Sequence, residues 1–144
     1  RSFEITPKNR EQPIRREKAT SNVCTDEALM ALRASVYLAA MGPKGLRGVA
    51  ELCLHKARYA AGRLAALEGW QLAFDRPTFK EFVVRRIGGG IERLVEAAAA
   101  EGIFAGVPLG RWYPELADCL LVAVTEKRTK EQIDRLVAVL GAAT

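Results

Sequence analysis

Apolar residues keep helical spacing over two long stretches near the N-terminus of this chain. Leu29, Leu32, Val36 and Ala39 form one stripe, broadened by Met30, Tyr37, Leu38 and Met41, and predict a helix from about Asp26 to Met41. Only Arg33 and Ser35 interrupt its apolar surface, so this helix needs cover on more than one side. Gly42-Pro43 breaks the chain. A second helix is expected from about Pro43 to Leu67, with Leu46, Val49, Ala50, Cys53, Ala57, Ala60, Ala61 and Leu64 inward.

After Glu68-Gly69 the period becomes two. Trp70, Leu72 and Phe74 predict a short strand, and Arg76-Pro77 turns the chain. Phe79–Arg86 predicts a second strand, with Phe82 and Val84 on one face and Phe79, Val83 and Arg85 on the other. Gly88-Gly89-Gly90 lacks both phosphate-loop and dinucleotide spacing and reads as a turn. Ile91, Leu94, Val95 and Ala98 mark a helix that ends at Glu101-Gly102. Ile103–Leu109 reads as an extended edge blunted by Gly106 and Pro108, and Cys119–Val124 as a central, continuously apolar strand. Thr129-Lys130-Glu131-Gln132 is a capping box opening a last helix, with Ile133, Leu136, Val137 and Leu140 inward. Short strand-to-strand connections imply an α+β domain: a small, mainly antiparallel sheet with helices packed on one face.

Upstream of the first helix the pattern is polar. Arg10, Arg15, Arg16 and Lys18 stand close together, followed by Ala19-Thr20-Ser21-Asn22 and a helix start at Thr25-Asp26-Glu27. Forked donors, an ammonium, two hydroxyls and an amide at a helix mouth can hold an anion or an acidic segment. A solvated basic tether explains the same residues, and Asp26 and Glu27 oppose a bound anion. Arg85, among apolar neighbours, needs a carboxylate: an internal Glu or Asp, or one from a substrate or domain interface.

The 144 residues suffice for one ordinary domain with a core, and 49% apolar with 27% charged residues is a soluble globular composition. The net charge of +5 admits nucleic acid or an acidic partner, but beyond the N-terminal tract the cations are mixed with Glu and Asp. Three spaced cysteines (Cys24, Cys53, Cys119) and one histidine (His55) supply neither a disulfide framework nor metal-ligand spacing, so no metal site is expected and a reducing cytoplasmic setting fits. Cys53 reads as a buried inert thiol and His55 as a surface or packing residue. No apolar run is long enough to span a membrane.

Read as a string, the polar segment says more. Arg10-Glu11-Gln12, Ile14-Arg15-Arg16, Lys18-Ala19-Thr20-Ser21-Asn22, Cys24-Thr25 and Ala28-Leu29 resemble the matching segment of the glycine cleavage system P-protein, the pyridoxal-phosphate (PLP)-dependent glycine decarboxylase. The resemblance is to the alpha (first) subunit of the two-subunit bacterial form. It continues through Tyr37-Leu38-Ala39, Gly42–Arg47, Glu81–Arg85, Pro108–Arg111, Tyr113–Leu116 and Cys119–Thr129. Pro13 departs from the pattern, standing where the family more often has His or Tyr.

The resemblance implies the C-terminal small domain of a fold-type I PLP enzyme over residues 42–144. Residues 1–41 would be a connecting segment and interface helix from a large domain, and the start at Arg1 fits a fragment. It implies an enzyme that decarboxylates glycine and passes the aminomethyl group to the lipoyl arm of H-protein. The PLP-anchoring lysine would lie on the beta subunit, in a heterotetramer of two alpha and two beta chains. The fragment alone is therefore expected to be inactive, to hold no PLP and to carry no catalytic residue. Arg15, Arg16, Lys18, Thr20, Ser21 and Asn22 would lie at the subunit interface near the active-site entrance. Two other readings are a basic helical nucleic-acid-binding module and a purely structural scaffold. The apolar first helix with Asp26 and Glu27 at its start argues against the former.

Overall fold

The computed structural model describes residues 27–142. The polar segment and the Thr25 helix start lie outside the described residues. Helix α1 runs Glu27–Ala65, then come strands β1 (Trp70–Leu72) and β2 (Glu81–Arg86), helix α2 (Ile91–Ala100) and strand β3 (Val107–Pro108). Single 3-10 turns at Leu109–Arg111 and Pro114–Leu116 lead to β4 (Cys119–Ala123) and helix α3 (Lys130–Ala142). The chain divides into two compact units, Arg1–Leu46 and Arg47–Thr144.

In the first unit the described residues belong to α1. The expected break is present: Gly42 has φ 60 and ψ 178, a conformation that only glycine adopts without strain, and Pro43 follows. Proline disfavours a helical residue before it and fits the first turn of the helix after it, so the pair stops one helical run and starts another. Every residue from Ala28 to Ala40 is exposed, including Leu29, Leu32 and Val36.

The second unit is an α+β domain. Its antiparallel sheet has the order β1-β2-β4-β3, which makes β4 an interior strand, as its unbroken apolar run predicts. Phe82 and Val84 of β2 stand opposite Val122 and Leu120 of β4, and all four are buried. Against them pack Ala57, Ala60 and Leu64 of α1, Leu94 and Ala98 of α2, and Leu136 and Leu140 of α3. One face of the sheet is thus covered by helices. Of the stripe expected on the second helical run, Cys53–Leu64 is buried, whereas Val49 and Ala50 are half-buried and Leu46 exposed.

Local signals end the helices as the sequence reads. The amide of Gly102 donates to the carbonyl of Ala99 and that of Ile103 to Ala98, the paired bonds of a Schellman stop. At α3 the Gln132 amide donates to Thr129 Oγ1 (3.2 Å) while the Thr129 amide donates to Gln132 Oε1 (3.1 Å), a reciprocal capping box. Thr129→Ala should lower the unfolding free energy by about 1 kcal/mol in urea titrations, with Thr129→Ser restoring most of it.

All four strands are shorter than expected: β2 begins at Glu81 and leaves out Phe79, β4 ends one residue early at Ala123, and β1 and β3 differ most. The ladder of β1 ends at Leu72, and while Trp70 is buried, Leu72 and Phe74 are 46% and 51% exposed. This is the sheet edge, where Trp70 joins the core beneath the helices and the next two alternate residues line an open pocket instead. Only Val107 and Pro108 of the 103–109 run pair with β4. Ile103 is spent on stopping α2, Pro108 has no amide to donate, and Leu109 opens a 3-10 turn.

Candidate functional site

The sheet face turned away from the helices carries the described polar residue that the sequence singles out. Alternation puts Arg85 on this face, in register with Gln71 of β1 and Cys119 of β4, and the next rung is Val83, Leu121 and Val107. Asp118 immediately precedes β4, and its carbonyl accepts the Arg86 amide (2.9 Å), which fixes the residue beside β2. Its carboxylate meets Arg85 Nε at 3.1 Å (Oδ2) and 3.3 Å (Oδ1). The Cys119 thiol donates to the same Oδ1 at 3.3 Å. Side chains of Arg85 and Asp118 keep 33% and 38% of their exposure, so the group is open to a ligand or a neighbouring chain.

Cation, carboxylate and thiol are mutually adjusted. The contact with the Cys119 sulfur, then the nearby charges, hold the Arg85 guanidinium above its ordinary pKa. Burial, then the hydrogen bond to Asp118, pushes the Cys119 thiol up, with Arg85 opposing. The thiol is therefore a protonated donor rather than a nucleophile. Nη1 and Nη2 of Arg85 donate to no oxygen among the described residues, so an oriented fork remains for a carboxylate.

Sequence reasoning identified Arg85 and its need for a carboxylate but not Asp118. An aspartate at the mouth of an apolar strand was the available signal; the cross-strand register was not. The other candidates, Arg15, Arg16, Lys18, Thr20, Ser21 and Asn22, lie outside the described residues.

Other polar groups fasten the helices. Asp134 on α3 accepts from Tyr59 (2.6 Å) and Arg63 (2.9 Å) of α1 and from Lys130 (2.6 Å), and its pKa is lowered chiefly by Lys130, then by Tyr59. Buried Cys53 donates to Glu126 Oε2 at 3.3 Å, and Lys56 donates to the Glu126 carbonyl at 2.5 Å. His55 is exposed.

These lysines do not fit the covalent anchor that PLP needs, a neutral amine in an enclosed pocket. Lys130 is held protonated by Asp134, Lys56 is spent on a backbone carbonyl, and Lys44, Lys80 and Lys127 are exposed. Among the described residues no group of His, Cys, Asp and Glu is arranged to hold a metal, and no helix is long and apolar enough to cross a membrane.

A family model described as glycine cleavage system P-protein matches residues 1–140. A probable glycine dehydrogenase (decarboxylating) subunit 1 of Carboxydothermus hydrogenoformans is 52% identical over 141 residues, 98% of this chain and 31% of that protein. The protein of the same description from Moorella thermoacetica is 51% identical over 140 residues, 97% of this chain and 31% of its own length. A crystal structure of glycine decarboxylase (P-protein) of the glycine cleavage system, in inhibitor-bound form, superposes with a TM-score of 0.76 at 33% identity. That match covers 96% of this chain and 31% of the solved one. The chain thus spans about a third of the length of these relatives.

Proposed function

This chain belongs to the glycine cleavage system P-protein family, and on that premise we propose that it forms the C-terminal part of subunit 1 of a two-subunit glycine dehydrogenase (decarboxylating). The observation that carries this reading is identity near 50% to relatives named as that subunit over nearly the whole chain. The whole enzyme removes carbon dioxide from glycine and passes the aminomethyl group to the lipoyl arm of H-protein, working in the cytoplasm as two alpha and two beta chains.

PLP supplies the electron sink for breaking the carbon–carbon bond. Its anchoring lysine belongs to the beta subunit in this reading, in keeping with the described lysines, which are ion-paired, spent on a carbonyl or exposed. This subunit completes and supports the site. Residues 42–144 act as the small domain, and residues 1–41 lead in from a larger one, which would cover the exposed apolar helix 28–40. Arg85 offers its fork to a carboxylate of substrate or of a facing domain, braced by Asp118 and Cys119.

Mixing the full-length chain with its partner and following glycine-dependent exchange of carbon dioxide tests the reading. Exchange should need both polypeptides. Exchange by this chain alone, or cofactor fixed to one of its lysines by borohydride, would refute the division of labour. Within the reconstituted enzyme, Arg16→Ala should lower activity or subunit affinity about tenfold, the loss expected for one charge-assisted hydrogen bond. If neither moves, residues 15–22 are a solvated tether.

A further inference from the structure

The free edge of β1 and the cleft beside it form a surface that no described element fills. Two concavities share Ala61, Leu72, Arg76 and Thr78 in their walls. The larger, about 620 Å³, lies between Leu54, Arg58 and Gly62 of α1 and the turn Asp75–Thr78. The smaller, about 250 Å³, is walled by Phe74, Glu81, Phe82 and Leu121.

The backbone at this edge has a fixed polarity. The Ala73 amide donates to Val83 and the Ile87 amide to Gly69, so the peptide groups of Gly69, Gln71 and Ala73 turn toward β2. By alternation that of Leu72 turns outward, and neither Leu72 nor Phe74, which lies past the bend at Ala73, has a backbone hydrogen-bond partner among the described residues. Their side chains are half exposed beside the cleft. The Trp70 amide is given to the Leu67 carbonyl, so the open backbone here is that of Leu72 and Phe74, which beside apolar pockets suits an extended segment.

Charge narrows the occupant. Arg58 and Arg76 are exposed and form no ion pair or hydrogen bond among the described residues. Against them the larger cavity has only Asp75, which leaves its wall net positive, while Glu81 lines the smaller one. Two free forks favour a segment bearing carboxylates. A second copy would bring a three-residue strand flanked by Glu68 and Asp75, and its pairing is an outcome that the test below separates.

We infer that this edge and cleft receive an extended, acidic segment of the second subunit, which pairs with the backbone at Leu72 and Phe74 while its carboxylates meet Arg58 and Arg76. The inference rests on the subunit reading above. Two paired residues are too few to hold a strand by backbone bonds alone, so the two arginines and the apolar pockets supply the rest of the affinity.

Hydrogen exchange on the full-length chain, free and in complex with its second subunit, tests it. The amides of Leu72 and Phe74 should exchange about tenfold more slowly in the complex. The double variant Arg58→Glu/Arg76→Glu, both at exposed positions, should keep its melting midpoint and weaken the complex about tenfold. A stable complex with neither amide protected overturns the inference and leaves the subunit reading standing. Protection that grows with concentration of this chain alone assigns the edge to a second copy and overturns it too. If the two polypeptides do not associate at all, the subunit reading falls and takes the inference with it.

Discussion

Replacing Gly106 by alanine should cost this domain about 3 kcal/mol or more, a large fraction of the stability of an ordinary domain. Gly106 has φ 152, and a β-carbon there would stand 2.3 Å from the carbonyl oxygen of Leu121 and 3.2 Å from the Leu120 side chain. The oxygen belongs to β4, the interior strand, and cannot retreat without disturbing Leu120 and Val122 in the core. Relief must come from β3 peeling away, which breaks the pairing of Val107 with Leu121 and Pro108 with Leu120. The melting midpoint should fall by roughly 10 °C or more. Gly48→Ala is the matched control, because it lies within α1 with nothing within 4 Å of the added carbon and should be neutral or slightly stabilising. Equal midpoints for the two variants would mean that the turn before β3 moves freely.

Features set by a few consecutive residues were legible in the chain itself. Thr129 and Gln132 are three apart, and the bonds they exchange need nothing from elsewhere. The same holds for the α2 stop at Gly102 and the break at Gly42-Pro43. The faces of β2 were legible because Phe82 and Val84 alternate with Val83 and Arg85 over a strand whose one side is buried. What depends on distant residues was not. The partnership of Arg85 with Asp118, 33 residues on, follows from the β2–β4 register, which no local period encodes. The exposure of Leu72 and Phe74 depends on where the helix layer stops. Their alternation looks the same at a covered strand and at a bare edge.

Arg85→Ala should separate the two uses open to this arginine. If its fork receives a carboxylate during turnover, kcat/KM for glycine in the reconstituted enzyme should fall about ten- to hundredfold, the range for losing charge-assisted hydrogen bonds. Arg85→Lys should recover only part of it, since an ammonium keeps the charge and loses the two-pronged geometry. The melting midpoint should hardly change, because the pair with Asp118 is a third exposed and such pairs contribute little to folding. Asp118→Asn leaves the guanidinium in place but removes the charge that orients it, so it should raise KM more than it lowers kcat. Should Arg85 serve Asp118 alone, the outcome inverts. Each single variant and the double variant would then lower the midpoint by the same small amount and leave kcat/KM untouched, the pattern of two groups whose only role is each other.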